Sequence, residues 1–258
     1  MDEILGRIIL VRHGERVDFV TPEWRKTAEF PSDSPLTERG LRQALEAGEF
    51  LNKMSQTTPP PIEHFFVSPY LRTLQTCTNI LASFPDSFSA QLHPACCEWL
   101  YPDWGFPRIN YYSIGTEEQP IGYLDAVEKV KLSATFPRIA LSEKVKVVPT
   151  FPESELKVQE RGSSFYKEEL EPLLFERKDR KSVSVVLVSH GGIVESFTRA
   201  ILSGCGEEYN AIGVSYCSVT ELIHTGEMTS SGTRVWKLVK NAYKGHLSEP
   251  ESDQVHYN

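Results

Sequence analysis

Two histidines and three arginines are spaced so that they can handle a phosphoryl group. Leu10-Val11-Arg12-His13-Gly14-Glu15-Arg16 follows an aliphatic run near the N-terminus, and Ser189-His190-Gly191-Gly192 follows a second run, Val183 to Val188. Arg72, in Ser68-Pro69-Tyr70-Leu71-Arg72-Thr73, follows a third, Phe65 to Val67. A phosphate monoester is dianionic near neutral pH, so moving its phosphoryl group needs cationic clamps and an in-line nucleophile. Arg12, Arg16 and Arg72 offer forked donors that match phosphate oxygens. Histidine is a competent nucleophile when neutral, and positive neighbours disfavour imidazolium, so the arginines should keep His13 unprotonated. His190 can donate to a phosphate oxygen, and Gly191 and Gly192 put a helix N-terminus beside it.

The remaining role is a proton donor for the leaving oxygen, which a carboxyl group in an apolar, covered place would fill. Glu98, in Cys97-Glu98-Trp99, is best placed by sequence context, with Glu15 as its rival; Glu15 otherwise reads as a structural acceptor holding the Arg12 loop. The cysteines offer no competing nucleophile. The positions six residues after Cys77, Cys96, Cys97, Cys205 and Cys217 hold Ser83, Pro102, Asp103, Ala211 and Ile223, so a Cys-x5-Arg phosphate loop is absent. The histidines are scattered and the cysteines lack paired spacing, so no metal site and no cofactor is expected.

These residues must be delivered by strand ends. In an open α/β sheet, ligands bind at the C-terminal ends of the strands. Gly6–Val11 reads as a strand buried on both faces, and 12–34, polar and rich in proline, as a loop. Thr37 is a plausible N-cap for a helix with Leu41, Ala44, Leu45, Gly48 and Leu51 on one face. A loop over 56–61 leads to the strand Phe65–Val67. Ser68 as N-cap and Pro69 as first residue then open a helix to about Phe84. Gln91–His93 reads as a short edge strand. The stretch from about 98 to 151, with Trp99, Tyr101, Trp104, Phe106, Tyr111 and Tyr112, reads as an insertion lying over the site as a lid. Pro152–Lys178 reads as one long helix weakened by Gly162, and Gly191–Leu202 as the helix after the strand Val183–Val188. Tyr216–Ile223 and Thr233–Val239 read as a terminal hairpin around Gly226-Glu227, and 248–258 as a polar, mobile tail. The expectation is a single α/β domain over 1–247, with a mostly parallel sheet flanked by helices on both faces.

Bulk properties fit that expectation. At 258 residues the chain suits one domain with an insertion. A net charge of -8 argues against a nucleic-acid partner. No apolar run approaches the ~18 to 20 residues of a membrane helix, and the acidic start, Met1-Asp2-Glu3, gives no sign of a signal peptide. An odd count of five cysteines with no Cys-x-x-Cys predicts a reduced, cytosolic chain.

Arg12-His13-Gly14-Glu15, Ser68 to Thr76 and Ser189-His190-Gly191 resemble, in order, the motifs of the histidine phosphatase superfamily, which includes the cofactor-dependent phosphoglycerate mutases. Arg16 and Cys97-Glu98-Trp99 resemble one subgroup, which holds the phosphatase domains of the suppressors of T-cell receptor signalling and the insect ecdysteroid-phosphate phosphatases. The resemblance implies a phosphoglycerate mutase-like fold and a metal-free phosphomonoesterase. It implies His13 as nucleophile, Arg12, Arg16, Arg72 and His190 as phosphate pocket, and Glu98 as acid and base, although Cys97 stands where the subgroup has an aromatic residue. It implies a phosphorylated substrate, with phosphotyrosine favoured, and a homodimer. A phosphosugar-acid mutase and a phosphate-binding pseudoenzyme are the alternatives. Arg16 weighs against the first, and the intact His13, Arg12, Arg72 and His190 weigh against the second.

Overall fold

The computed structural model describes residues 3–101, 126–142, 145–179, 181–206, 209–210 and 213–249. Among these residues seven strands form one sheet: β1 (Gly6–Arg12), β2 (Ile62–Val67), β3 (Ala90–Leu92), β4 (Ile139–Leu141), β5 (Val183–Ser189), β6 (Val219–His224) and β7 (Lys237–Tyr243), in the order β4-β3-β2-β5-β1-β6-β7. The first five of that order run parallel, and β6 and β7 are antiparallel. The mostly parallel α/β sheet expected from the strand–helix alternation is therefore present.

Period-two alternation sorts each central strand between two cores. Ile9, Val11, Phe65, Val67, Val186 and Val188 face helices α2 (Glu38–Thr57) and α3 (Leu71–Ala82), meeting Ala44, Leu51, Leu74 and Ile80. Ile8, Leu10, Phe66, Val185 and Leu187 face α5 (Glu155–Phe165) and α7 (Gly191–Gly204), meeting Val158, Phe165, Ile193 and Phe197. Each fully buried aliphatic side chain contributes roughly 1.5–3 kcal/mol of transfer free energy. That two-sided core makes the strand ends rigid enough to position a site. Arg7 is a buried exception within β1: its guanidinium pairs with Glu221 at 2.8 Å and donates to the carbonyls of Thr58, Pro59 and Pro60.

Several boundaries differ from the sequence reading, each for a local reason. Helix α3 starts at Leu71 with Tyr70 at its N-cap position, because the Ser68 hydroxyl is engaged with His190 instead of capping. Leu45, placed on the apolar face of α2, is 41% exposed. The 12–34 loop contains a short helix, α1 (Val17–Val20), and a 3-10 turn over Pro22–Lys26. β3 is not an edge strand, since β4 pairs with it in parallel. β4 comes from within the span read as a lid, so part of 98–151 belongs to the main sheet, with α4 (Ala126–Thr135) before it. The lid aromatics Trp104, Phe106, Tyr111 and Tyr112 lie outside the described residues. The helix read over Pro152–Lys178 runs unbroken over 155–175, with α5 passing through a π turn over Tyr166–Leu170 into α6 (Glu171–Phe175). In the tail, Ser248 donates to Glu46 and the Glu249 carbonyl accepts from Arg39, so these two residues are tied to α2; 250–258 lie outside the described residues.

One close approach is demanding. A Cβ added to Gly40, in the first turn of α2, would lie 2.2 Å from the Glu15 carbonyl oxygen, and one added to Gly14 would lie 2.4 Å from the Gly40 carbonyl oxygen. Gly40→Ala is therefore expected to destabilise the chain by about 1–3 kcal/mol, as overpacking against backbone does. It should also displace the His13 loop. Urea unfolding checks the first effect, and an unchanged midpoint would show that the loop and α2 do not touch as described.

Candidate active site

Three neighbouring parallel strands, β2, β5 and β1, end at the same level, with Arg12 beside Ser189 and Val67 beside Val188. Their C-terminal ends bring His13, Ser68 and His190 together. His13 is buried, and its ring lies edge-on to that of His190 with centroids 5.4 Å apart. Its backbone N–H donates to Ser189, and Gly14 N–H donates to Thr76 Oγ1. Cys217, held at φ 50°, points its own N–H at the Arg12 and His13 carbonyls. The loop is thus fixed from β5, α3 and the segment before β6.

The His13 tautomer follows from its partner. Nδ1 lies 2.8 Å from the Gly14 carbonyl oxygen, which can only accept, so Nδ1 carries the proton and Nε2 the lone pair. Burial pushes the imidazole well below its usual pKa, and Arg72, Arg12, His190 and Arg16 push it the same way. A neutral imidazole with an available Nε2 lone pair is the form that can attack an electrophile.

The cations surround that ring. Arg12 donates to the Val214 carbonyl at 2.5 Å and lies over the Tyr216 ring, 4.3 Å from its centroid. Arg72 is buried and packs over Tyr70 at 4.3 Å; it reaches Glu98 Oε2 at 3.3 Å and the Ser32 carbonyl at 3.3 Å. Arg16 is gripped by Asp18, which accepts at 2.6 Å and 2.7 Å and also accepts from Arg25. The two arginines hold the buried Asp18 carboxyl below its usual range, although burial pushes it up. Arg16 therefore presents its guanidinium with two nitrogens already fixed.

His190 bridges two groups. Its Nε2 lies 2.7 Å from Ser68 Oγ, and its Nδ1 lies 3.2 Å from Glu98 Oε2. Arg72 Nη2 is 3.1 Å from the same Nδ1. That nitrogen cannot accept from Arg72 while donating to Glu98. A carboxylate can only accept, so Nδ1 carries the hydrogen and Nε2 accepts from the Ser68 hydroxyl. Burial pushes His190 down to about 4, with Arg72 in the same direction and Glu98 opposing. Burial would raise Glu98, but His190, Arg72 and the Trp99 N–H hold it well below the carboxylate range. Arg72, permanently charged, contributes in that direction whatever the state of the imidazole.

The two buried imidazoles have a consequence for stability. A folded-state pKa below the unfolded one means that the unfolded chain binds the proton first, so stability is present above the unfolded value and lost as pH falls. For His190 the window runs from 6.5 down to about 4. His13 adds a loss of the same sign. Urea midpoints should fall between pH 7.5 and pH 5, and His13→Gln should show a smaller fall than the unsubstituted chain. Equal falls in both would remove His13 from the explanation.

Glu15 turns away from this group. Its carboxylate takes Thr37 Oγ1 and Arg39, each at 2.8 Å, which ties the loop to the first turn of α2. The structure thus gathers His13, Arg12, Arg72, His190 and Glu98, holds Arg16 through Asp18, and leaves Glu15 structural. Sequence reading missed Ser68, Asp18, Tyr216 and Thr76. Only Asp18, an acid two residues from an arginine, left a usable sign. The five cysteines form no disulfide, and burial pushes the Cys77 thiol up to about 12. Among the described residues there is no His/Cys/Asp/Glu cluster able to hold a metal ion, and no helix is long and apolar enough to cross a membrane.

Residues 8–110 match the family model of the histidine phosphatase superfamily (branch 1). The chain is 25% identical over 269 residues to ecdysteroid-phosphate phosphatase of Drosophila melanogaster, covering 91% of this chain and 32% of that protein. It is 35% identical over 83 residues to a phosphoglycerate mutase family protein of Acanthamoeba polyphaga mimivirus, covering 31% of this chain and 39% of the other. The chain thus spans well under half the length of these curated relatives. Among solved structures, the ecdysone phosphate phosphatase of Bombix mori, in complex with tungstate, is similar with a TM-score of 0.61 at 18% identity, over 98% of both chains. A mycobacterial glucosyl-3-phosphoglycerate phosphatase is similar with a TM-score of 0.51 at 19% identity, over 92% of this chain and 98% of that one. The fold is accordingly that of the phosphoglycerate mutase-like histidine phosphatases, and the resemblance read from the three sequence motifs stands.

Proposed function

We propose that this chain, which carries the histidine phosphatase superfamily match over residues 8–110, hydrolyses phosphate monoesters through a phosphohistidine on His13. The observation that carries the reading is the buried, neutral His13 ring with its lone pair on Nε2, set among Arg12, Arg16, Arg72 and His190. His13 Nε2 attacks phosphorus, the bond from phosphorus to the ester oxygen breaks, and that oxygen takes a proton from Glu98. The Glu98 carboxylate then removes a proton from water, whose oxygen attacks the phosphohistidine, releasing inorganic phosphate and restoring His13. The three guanidinium groups supply the positive charge that stabilises the transferring group.

Glu98 has to be protonated for the first step, whereas its contacts with Arg72 and His190 favour its anion. A dianionic ester answers this: its oxygens compete for the same Arg72 and His190 donors, and its charge raises the carboxyl pKa. The proton donor is thus armed by the substrate it serves.

For substrate, we favour an aryl or alkyl monoester, with phosphotyrosine suggested by the subgroup and a steroid phosphate by the Drosophila relative's name. We place this activity in one domain over 1–247, in the cytosol, and in a homodimer as the subgroup resemblance suggests. The mimivirus relative's name makes a mutase the second reading. The test is a substrate panel: p-nitrophenyl phosphate, a phosphotyrosine peptide, a steroid phosphate, and a monophosphorylated sugar acid with its bisphosphorylated primer. Release of inorganic phosphate from the first three supports the proposal. Phosphoryl transfer only with the primer would assign a mutase, and binding without turnover a phosphate-binding scaffold.

A further inference from the structure

The segment that carries Glu98 follows a 3-10 turn over Pro94–Cys96, and five of its backbone groups between Ala95 and Leu100 are taken by two residues outside the site. Arg161, on α5, is 4% exposed and donates to the carbonyls of Ala95 at 3.0 Å, Cys97 at 2.8 Å and Glu98 at 3.4 Å. It also pairs with Glu153 at 2.8 Å. Glu153, 2% exposed, accepts from Leu100 N–H through Oε2 at 3.2 Å, while its own N–H donates to Leu100 O at 2.9 Å. The Glu153 carbonyl accepts from the Trp99 indole at 3.0 Å. Residues 95 to 100 are therefore bracketed by one buried ion pair.

The same helix is fixed to the histidine that Glu98 touches. Gly162 follows Arg161, and a Cβ there would lie 2.7 Å from the Phe197 ring on α7. Helix α7 begins directly after His190. Arg161 and Gly162 thus couple the Glu98 segment and the His190 helix through a single rigid element. A buried ion pair is weak evidence for stability as such, because desolvating both charges offsets their attraction. Six bonds from these two residues to one short segment point to placement instead.

We propose that Arg161 and Glu153 are positioning residues that set the Glu98 carboxyl against His190 and Arg72, and so govern proton delivery to the leaving oxygen. This rests on the reading of Glu98 as the proton donor. A phenol leaves with a pKa of about 10 and needs less help from an acid than an alkyl alcohol does. A displaced donor therefore slows alkyl esters more than aryl esters, whereas general loss of folded protein slows both alike.

The experiment compares kcat/KM on an aryl and an alkyl phosphate for the unsubstituted chain, Glu98→Gln, Arg161→Met and Glu153→Gln. Glu98→Gln should raise the aryl-to-alkyl ratio by about 100-fold, in the range of a general acid's contribution. Arg161→Met and the near-isosteric Glu153→Gln should raise it about 10-fold, with kcat on the alkyl ester falling more than KM changes. If Arg161→Met does not fold, Glu153→Gln alone carries the comparison. A ratio raised by Glu98→Gln but unmoved by Glu153→Gln and by folded Arg161→Met overturns the positioning role and leaves the proton-donor reading intact. A ratio unmoved even by Glu98→Gln overturns that reading, and the positioning role with it.

Discussion

Replacing His13 by alanine is expected to lower kcat/KM for an aryl phosphate by on the order of 10,000-fold or more, with the protein still folded. Removing a covalent nucleophile leaves only the binding and electrostatic contributions of the site. Here the expectation rests on geometry. Gly14 fixes the proton on Nδ1, burial and four cationic or imidazole neighbours keep the ring neutral, and the strand ends hold it beside His190. The substitution also removes a group that resists protonation when buried, so the folded state should be no more acid-sensitive than before. Steady-state hydrolysis with circular dichroism as a folding control reads both. A His13→Ala protein that keeps a tenth of the activity would mean that another group attacks phosphorus.

Arg72 comes second, with an expected loss of about 1,000-fold for Arg72→Met, comparable to removing one preorganised donor from a transition-state pocket together with a ground-state clamp. Its guanidinium is buried and reaches both the Glu98 carboxylate and the neighbourhood of His190 Nδ1, over a Tyr70 ring that limits its movement. On the proposed mechanism, losing it removes a phosphate clamp and frees Glu98 from a cation that favours its ionised form. The pH profile should therefore change as well as the rate: the Glu98 carboxyl rises toward its ordinary range, and the carboxylate needed to activate water is lost at a higher pH. Arg72→Lys should restore little, because one ammonium cannot replace a planar fork serving two partners. Full activity in Arg72→Lys would show that a point charge suffices.

Much of this site was legible because its chemistry is local in sequence. Arg12-His13-Gly14, Ser68 to Arg72 and Ser189-His190-Gly191 each follow an apolar run, and strands buried on both faces announce themselves as such runs. The alternation of strands and helices then left little choice of sheet. What escaped was set by distant partners. Ser68 looked like a helix cap, and the cap was lost to a histidine 122 residues away. Gly162 looked like a weak point in a helix and is the contact that lets α5 sit on Phe197. Nothing in the spacing of Arg161 and Glu153 reveals that they face the Glu98 segment. β4 was hidden because three residues, Ile139–Leu141, carry too little periodicity to separate a strand from the stretch around them.

The most direct test of the central claim is to mix the protein with an excess of aryl phosphate, quench within one turnover, and map the modified residue by mass spectrometry under alkaline conditions that preserve phosphohistidine. The account requires phosphate on the peptide containing His13, on that residue, appearing and decaying at rates that match turnover. Continued turnover with His13 unmodified throughout would contradict it, and would point to direct attack by water.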